Sequence, residues 1–237
     1  MHLFIASLQD HVPVVPSMHA ADRFLAVPVS ILFWVVTAVV VAVAVRNTNR
    51  HLDEKAVPLM GVMAAFIFAA QMFNFQVAGG TSGHLLGGVL AAVLLGPWAG
   101  TLVMTCVIAV QGLVFSDGGL VVMGANIFNM GVIGTLVGYG LYRALAKLLG
   151  GEDRARVPAA AIAGWASVVL GSTSMALQLI VSGTSPAEVV LPAMFGVHVF
   201  IGIGEALITA AALGFVAATR ADLLNLRPDR STSLVGA

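Results

Sequence analysis

The residues best suited to chemistry in this chain are few and widely spaced. Gly79 to Gly88 reads G-G-T-S-G-H-L-L-G-G, with glycine pairs on either side of His84. Imidazole is a common metal ligand, although one histidine alone is more often a hydrogen-bonded polar residue. A second histidine, His19, follows Met18 near the start. If the functional chain begins at Met18, its amine and the His19 amide nitrogen close a five-membered chelate ring, and that amide and the His19 imidazole close a six-membered one. His84 then offers a fourth nitrogen. Square-planar nitrogen coordination suits Ni(II) or Cu(II) and discriminates against tetrahedral Zn(II) and oxygen-seeking Mg(II). The arrangement requires an unblocked amine, because an internal residue carries a neutral amide at that position.

Other polar residues permit other chemistry. Gly80-Thr81-Ser82-Gly83 is a G-x-S-G pattern, and with His198 it allows a rhomboid-like intramembrane serine protease in which Ser82 is the nucleophile and His198 the base. A structural membrane scaffold is the third class. His198, Gly202 and Glu205 fall at i, i+4 and i+7, on one helical face. Asn126 and Asn129 share a face at i and i+3, as do Gln71 and Asn74, while Gln111 and Gln178 stand alone on their helices. The plain reading of the amides is a hydrogen-bond network between helices. Glu205 demands more, since a central charge costs about 2.5–3.5 kcal/mol to insert and must be neutralised or held by a donor that the sequence does not name. Asp117, beside Gly118-Gly119 at the outer boundary, reads as a hydrated helix terminus, with attraction of cations as the alternative, and His11 and His51 receive no role.

The elements that must position these residues are membrane helices. The chain has 237 residues, 59% hydrophobic and 9% charged, whereas soluble domains carry about 25% charge. Apolar runs repeatedly approach the roughly 20 residues that cross a bilayer as helix. The predicted class is therefore an all-α polytopic membrane protein with about seven transmembrane helices: 28–45, 57–77, 84–95, 97–115, 119–142, 158–181 and 192–219. The third is too short to span upright, so it must be enclosed by protein or line a cavity. Arg46, Arg50 and Lys55, then Arg143, Lys147, Arg154 and Arg156, then Arg220, Arg227 and Arg230 mark cytoplasmic segments. That places the N-terminus outside, the C-terminus in the cytoplasm and the chain in the inner (plasma) membrane. Residues 1–17 read as an extension ahead of the functional start, 18–220 as the membrane domain and 221–237 as a flexible cytoplasmic tail. Zero formal net charge gives no indication of nucleic acid as a partner. The single cysteine, Cys106, rules out a disulfide framework or a CxxC site. No G-x-x-x-x-G-K-[ST] phosphate loop is present, so ATP is not hydrolysed by that route.

Three long blocks, Gly79–Trp98 (GGTSGHLLGGVLAAVLLGPW), Val110–Met130 (VQGLVFSDGGLVVMGANIFNM) and His198–Thr209 (HVFIGIGEALIT), resemble the CbiM/NikM substrate-specific components of energy-coupling factor (ECF) ABC transporters for cobalt and nickel. The likeness runs from Met18 to about Arg220. It implies a non-enzymatic component that captures Co(II) or Ni(II) as cargo for cobalamin or nickel-enzyme biosynthesis and holds no catalytic cofactor. The implied partners are a separate transmembrane coupling subunit and two cytoplasmic ATPases, with a small accessory membrane subunit as a further candidate. The family begins Met-His-Ile-Pro-(Asp/Glu)-Gly-(Phe/Tyr). Onto the family's start fall Met18, His19, Asp22, Phe24 and Leu25, while Ala20, Ala21 and Arg23 depart from it. The metal ligands implied are Met18, His19 and His84, with Ser82, Asn126, Asn129, His198 and Glu205 as candidates for a supporting layer.

Overall fold

The computed structural model describes residues 19–51, 56–72, 75–76 and 82–225. Among them are seven helices: α1 (Val27–His51), α2 (Ala56–Gln71), α3 (Gly88–Leu95), α4 (Pro97–Val114), α5 (123–148), α6 (Glu152–Val181) and α7 (Ala187–Thr219). A short 3₁₀ turn, Ala221–Asn225, follows. Helix α5 is continuous but not uniform, because Met123–Asn126 passes into a π-helix over Ile127–Val137 before α-geometry resumes at Gly138–Leu148. Among the described residues, four helices are long and apolar enough to cross a membrane, and the fold is the expected polytopic helical one.

The short third helix explains the architecture. All its residues from Gly88 to Leu94 are buried, and it touches α2, α4, α5, α6 and α7. An eight-residue helix cannot reach across a bilayer, so its backbone ends are tolerable only when other helices wrap it. Glycines allow that wrapping. A Cβ on Gly88 would lie 2.8 Å from the Gly134 carbonyl carbon, and one on Gly138 would lie 2.6 Å from Val89 Cγ2. Gly134 and Gly138 therefore serve internal packing of α5 on α3. The main core gathers Ile67, Val89, Leu90, Met104, Ile108, Tyr142 and Leu213 around this central helix.

Several boundaries differ from the sequence expectation, for identifiable reasons. By sequence, Pro158 and Pro192 open helices, since proline lacks the donor that a first turn leaves unused. Instead α6 begins at Glu152 and α7 at Ala187, with each proline inside the helix. Glu152 at the head of α6 accepts from Arg143 Nη1 at 2.7 Å. The expected second helix stops at Gln71, because Phe75–Gln76 (β1) pairs antiparallel with Ser82–Gly83 (β2). The third starts at Gly88 rather than His84, leaving 84–87 non-helical. The fifth starts at Met123 rather than Gly119, because 116–122 forms an irregular turn with Ser116 at φ 55° and Gly118 at φ 96°.

Candidate metal centre

The two histidines that the sequence singles out meet in the folded chain. His19, ahead of α1, is 5% exposed and His84, ahead of α3, is 9% exposed. Their ring centroids are 5.4 Å apart at 63°. Met18, the remaining residue of the expected ligand set, lies outside the described residues. Among the described residues no group of three or more His, Cys, Asp or Glu is arranged to hold an ion.

Each ring is oriented by a specific contact. His84 Nδ1 lies 2.9 Å from the Leu85 carbonyl oxygen. A carbonyl only accepts, so Nδ1 carries the proton and the lone pair of the neutral ring is on Nε2. His19 Nδ1 lies 3.2 Å from Asp117 Oδ2, with side chains 0% and 11% exposed. Asp117 therefore stands against His19 with its side chain largely covered, three residues past the end of α4. The signal for this in sequence is a carboxylate beside two glycines in a connection without lysine or arginine, but that pattern names no partner.

The segment leading out of His19 is laid along the 116–122 turn as a strap. Asn126 Oδ1 accepts from the Ala20 N–H at 3.2 Å and Asn126 Nδ2 donates to the Ala20 carbonyl at 3.1 Å, so one amide side chain imitates a neighbouring strand. Gly119 N–H donates to the same carbonyl at 2.9 Å. Asp22 Oδ1 accepts from Val121 N–H at 2.8 Å. Gly118 must be glycine for two reasons: its φ is 96°, and a Cβ there would stand 2.8 Å from His19 Cβ. Arg23, where the family pattern carries glycine, has φ 76°. The chain thus keeps the turn while placing a side chain where only glycine is unstrained.

The His84 side is fixed by polar groups from three helices. Glu205 on α7 is 1% exposed; it accepts the Leu86 N–H at 2.6 Å and the Gly87 N–H at 3.0 Å. Those two amides are the donors that the sequence does not name. Gln71 Nε2 donates to the Leu86 carbonyl at 2.8 Å, and Gln111 Nε2 donates to Gln71 Oε1 at 2.9 Å. Gly87 sits at φ 79°, and a Cβ there would be 2.9 Å from Ile67 Cγ1.

The other expected supporting residues are placed differently. Asn129 pairs reciprocally with Gln178 on α6 at 3.1 and 2.8 Å, and also accepts from Ser174 at 2.7 Å. Asn126 and Asn129 therefore address different neighbours, with the change to π-geometry falling between them. His198 Nδ1 donates to Met194 O on its own helix at 2.7 Å. The Ser82 backbone pairs with Gln76, and its side chain lies outside the described residues.

Comparison with known proteins gives this geometry a context. Residues 19–223 match the family described as cobalt uptake substrate-specific transmembrane region, CbiM. A Haloquadratum walsbyi protein named for metal transport is 42% identical over 90% of this chain and 99% of its own length. An Archaeoglobus fulgidus protein named as a fused nickel transport protein, NikMN, is 38% identical over 87% of this chain and 68% of its own length. A crystal structure described as a truncated transition metal transporter superposes with a TM-score of 0.77 at 32% identity, covering 85% of this chain and 99% of the other.

Proposed function

The chain belongs to the CbiM family, a family of multi-pass cobalt and nickel transport proteins, and from that premise we propose that it is the substrate-binding component of an ECF-type importer for Co(II) or Ni(II). The observation that carries this reading is the convergence of His19 and His84, buried with ring centroids 5.4 Å apart although they enter from separate elements. Two imidazoles alone bind a divalent ion weakly against competing water. The amine of Met18 and the His19 amide nitrogen complete a four-nitrogen plane, which suits Ni(II) and accommodates Co(II). The six-membered chelate ring uses His19 Nδ1, the atom now 3.2 Å from Asp117. Capture therefore exchanges that contact for the ion.

In this reading the ion arrives from outside, loses its water in the site and leaves toward the cytoplasm after reorientation driven by a separate coupling subunit and two ATPases. Release follows from a lower affinity in the inward state, because a ligand shifts an equilibrium only through differential binding. The relatives, named for metal transport, lend nothing to the protease reading of Ser82 and His198. The decisive experiment is Ni(II) and Co(II) titration of purified protein beginning at Met18, compared with the same chain carrying residues 1–17 or an acetylated Met18. Tight binding only with the free amine is expected. Equal affinity in all three forms overturns the chelate.

A further inference from the structure

Two successive peptide units ahead of α3 are held at both ends. In the Leu85–Leu86 unit, the N–H donates to Glu205 Oε2 at 2.6 Å and the carbonyl accepts from His84 Nδ1 at 2.9 Å. In the Leu86–Gly87 unit, the N–H donates to Glu205 Oε1 at 3.0 Å and the carbonyl accepts from Gln71 at 2.8 Å. A peptide unit is planar, so the direction of its N–H dictates the direction of its C=O. Glu205 therefore sets the carbonyl against which the His84 ring is aligned, without touching that ring. The helix needs such an acceptor in any case. Gly87 caps α3 with no side-chain hydrogen bond, and unsatisfied amides within a bilayer are costly.

We propose that Glu205 is a positioning residue for the cargo ligand His84, acting through the Leu85–Leu86 peptide as a carboxylate–peptide–imidazole relay that couples α7 to the metal centre. The relay fixes the tautomer, with Nδ1 protonated and Nε2 as the ligating atom, as a carboxylate or carbonyl commonly does for a metal-bound histidine. It also makes α7 a direct reporter of cargo. Any displacement of Glu205 along that helix turns the Leu85 carbonyl and re-aims the imidazole, giving reorientation a mechanical route to lowered affinity. Because bonds in series polarise one another, the carboxylate strengthens the hold on the ring beyond its local contact.

This proposal rests on the cargo reading above, so the experiment separates the two. Purified parent protein, Glu205→Gln, Glu205→Asp and Gln178→Ala, each beginning at Met18, are titrated with nickel chloride and with cobalt chloride in detergent, and the d–d absorption of the bound Ni(II) is recorded with the melting temperature. Glutamine keeps one acceptor but turns an NH₂ toward an amide donor. It is expected to weaken binding by roughly 10- to 100-fold, the range typical of groups that orient metal ligands, and to shift the d–d bands of the fraction still bound. Gln178→Ala is expected to lower the melting temperature with a parental spectrum. A Glu205→Gln protein with parental affinity and spectrum overturns the relay. If that variant does not fold, Glu205→Asp, which keeps the charge but withdraws it, takes its place: weakened binding with shifted bands supports the relay, and parental affinity and spectrum overturn it. A parent protein that binds neither nickel nor cobalt overturns the cargo reading itself.

Discussion

Among the described residues, the buried polar network between α5 and α6 and the one around the histidines are built on different principles. Between α5 and α6, Asn129, Gln178 and Ser174 bond to one another, side chain to side chain from the π-helical stretch of α5 to the α-helix of α6. Around the histidines, Asn126, Asp22, Gln71 and Glu205 bond to backbone groups of non-helical segments. The first network satisfies its own members and binds helix to helix. The second spends its side chains on peptide groups that no helix supplies with partners, and so holds irregular backbone at fixed places inside an apolar bundle. Irregular backbone is tolerated at membrane depth only with such help. A ligand set drawn from two loops needs that rigidity, whereas a helix contact does not.

The largest effect on this contrast is expected from His84→Ala. It removes a ligand rather than a support, so Ni(II) affinity measured by calorimetry should fall by more than the roughly 100-fold expected from a lost supporting group. Near-parental affinity would dissolve the distinction between the two networks. Next comes Asn126→Ala, which leaves the Ala20 N–H without its acceptor and the Ala20 carbonyl with only the Gly119 donor. Losing these bonds costs about 1–3 kcal/mol, and affinity should drop by roughly 10- to 100-fold as the strap loosens. A smaller effect is expected at Arg23. Arg23→Gly relieves a left-handed backbone and should raise stability by about 0.5–1 kcal/mol, read as a higher melting temperature in detergent. The smallest effect on cargo belongs to the other network. Gln178→Leu should cost about 0.6–2 kcal/mol of stability while leaving metal affinity within roughly twofold, and a larger loss of affinity would show that the networks are coupled.

Much of the fold was legible because bilayer physics acts on short windows of sequence. The apolar runs, the short third helix and the need to enclose it follow from length and hydropathy alone. Helix ends were less legible, since the cues at Pro158 and Pro192 are local preferences that longer-range packing overrides. At the site, the residue types of His19, His84, Asn126 and Glu205 were visible as polar groups out of place. Their partners were not: nothing in the spacing of Glu205 indicates the amides of Leu86 and Gly87, nor that of Asp117 the ring of His19. Asn126 and Asn129 stood as equivalents in sequence, and only the folded chain separates them, one to the strap and one to α6.

By itself, then, the sequence determined that this chain is a bundle of membrane helices with a few buried polar residues that require a reason. It could do so because burying a polar group in hydrocarbon is costly wherever it occurs, so the residue type alone raises the question. Only the tertiary structure decided which groups answer one another. Hydrogen bonds are directional and short in range, and the contacts that orient His19 and His84 join elements whose approach depends on packing around α3.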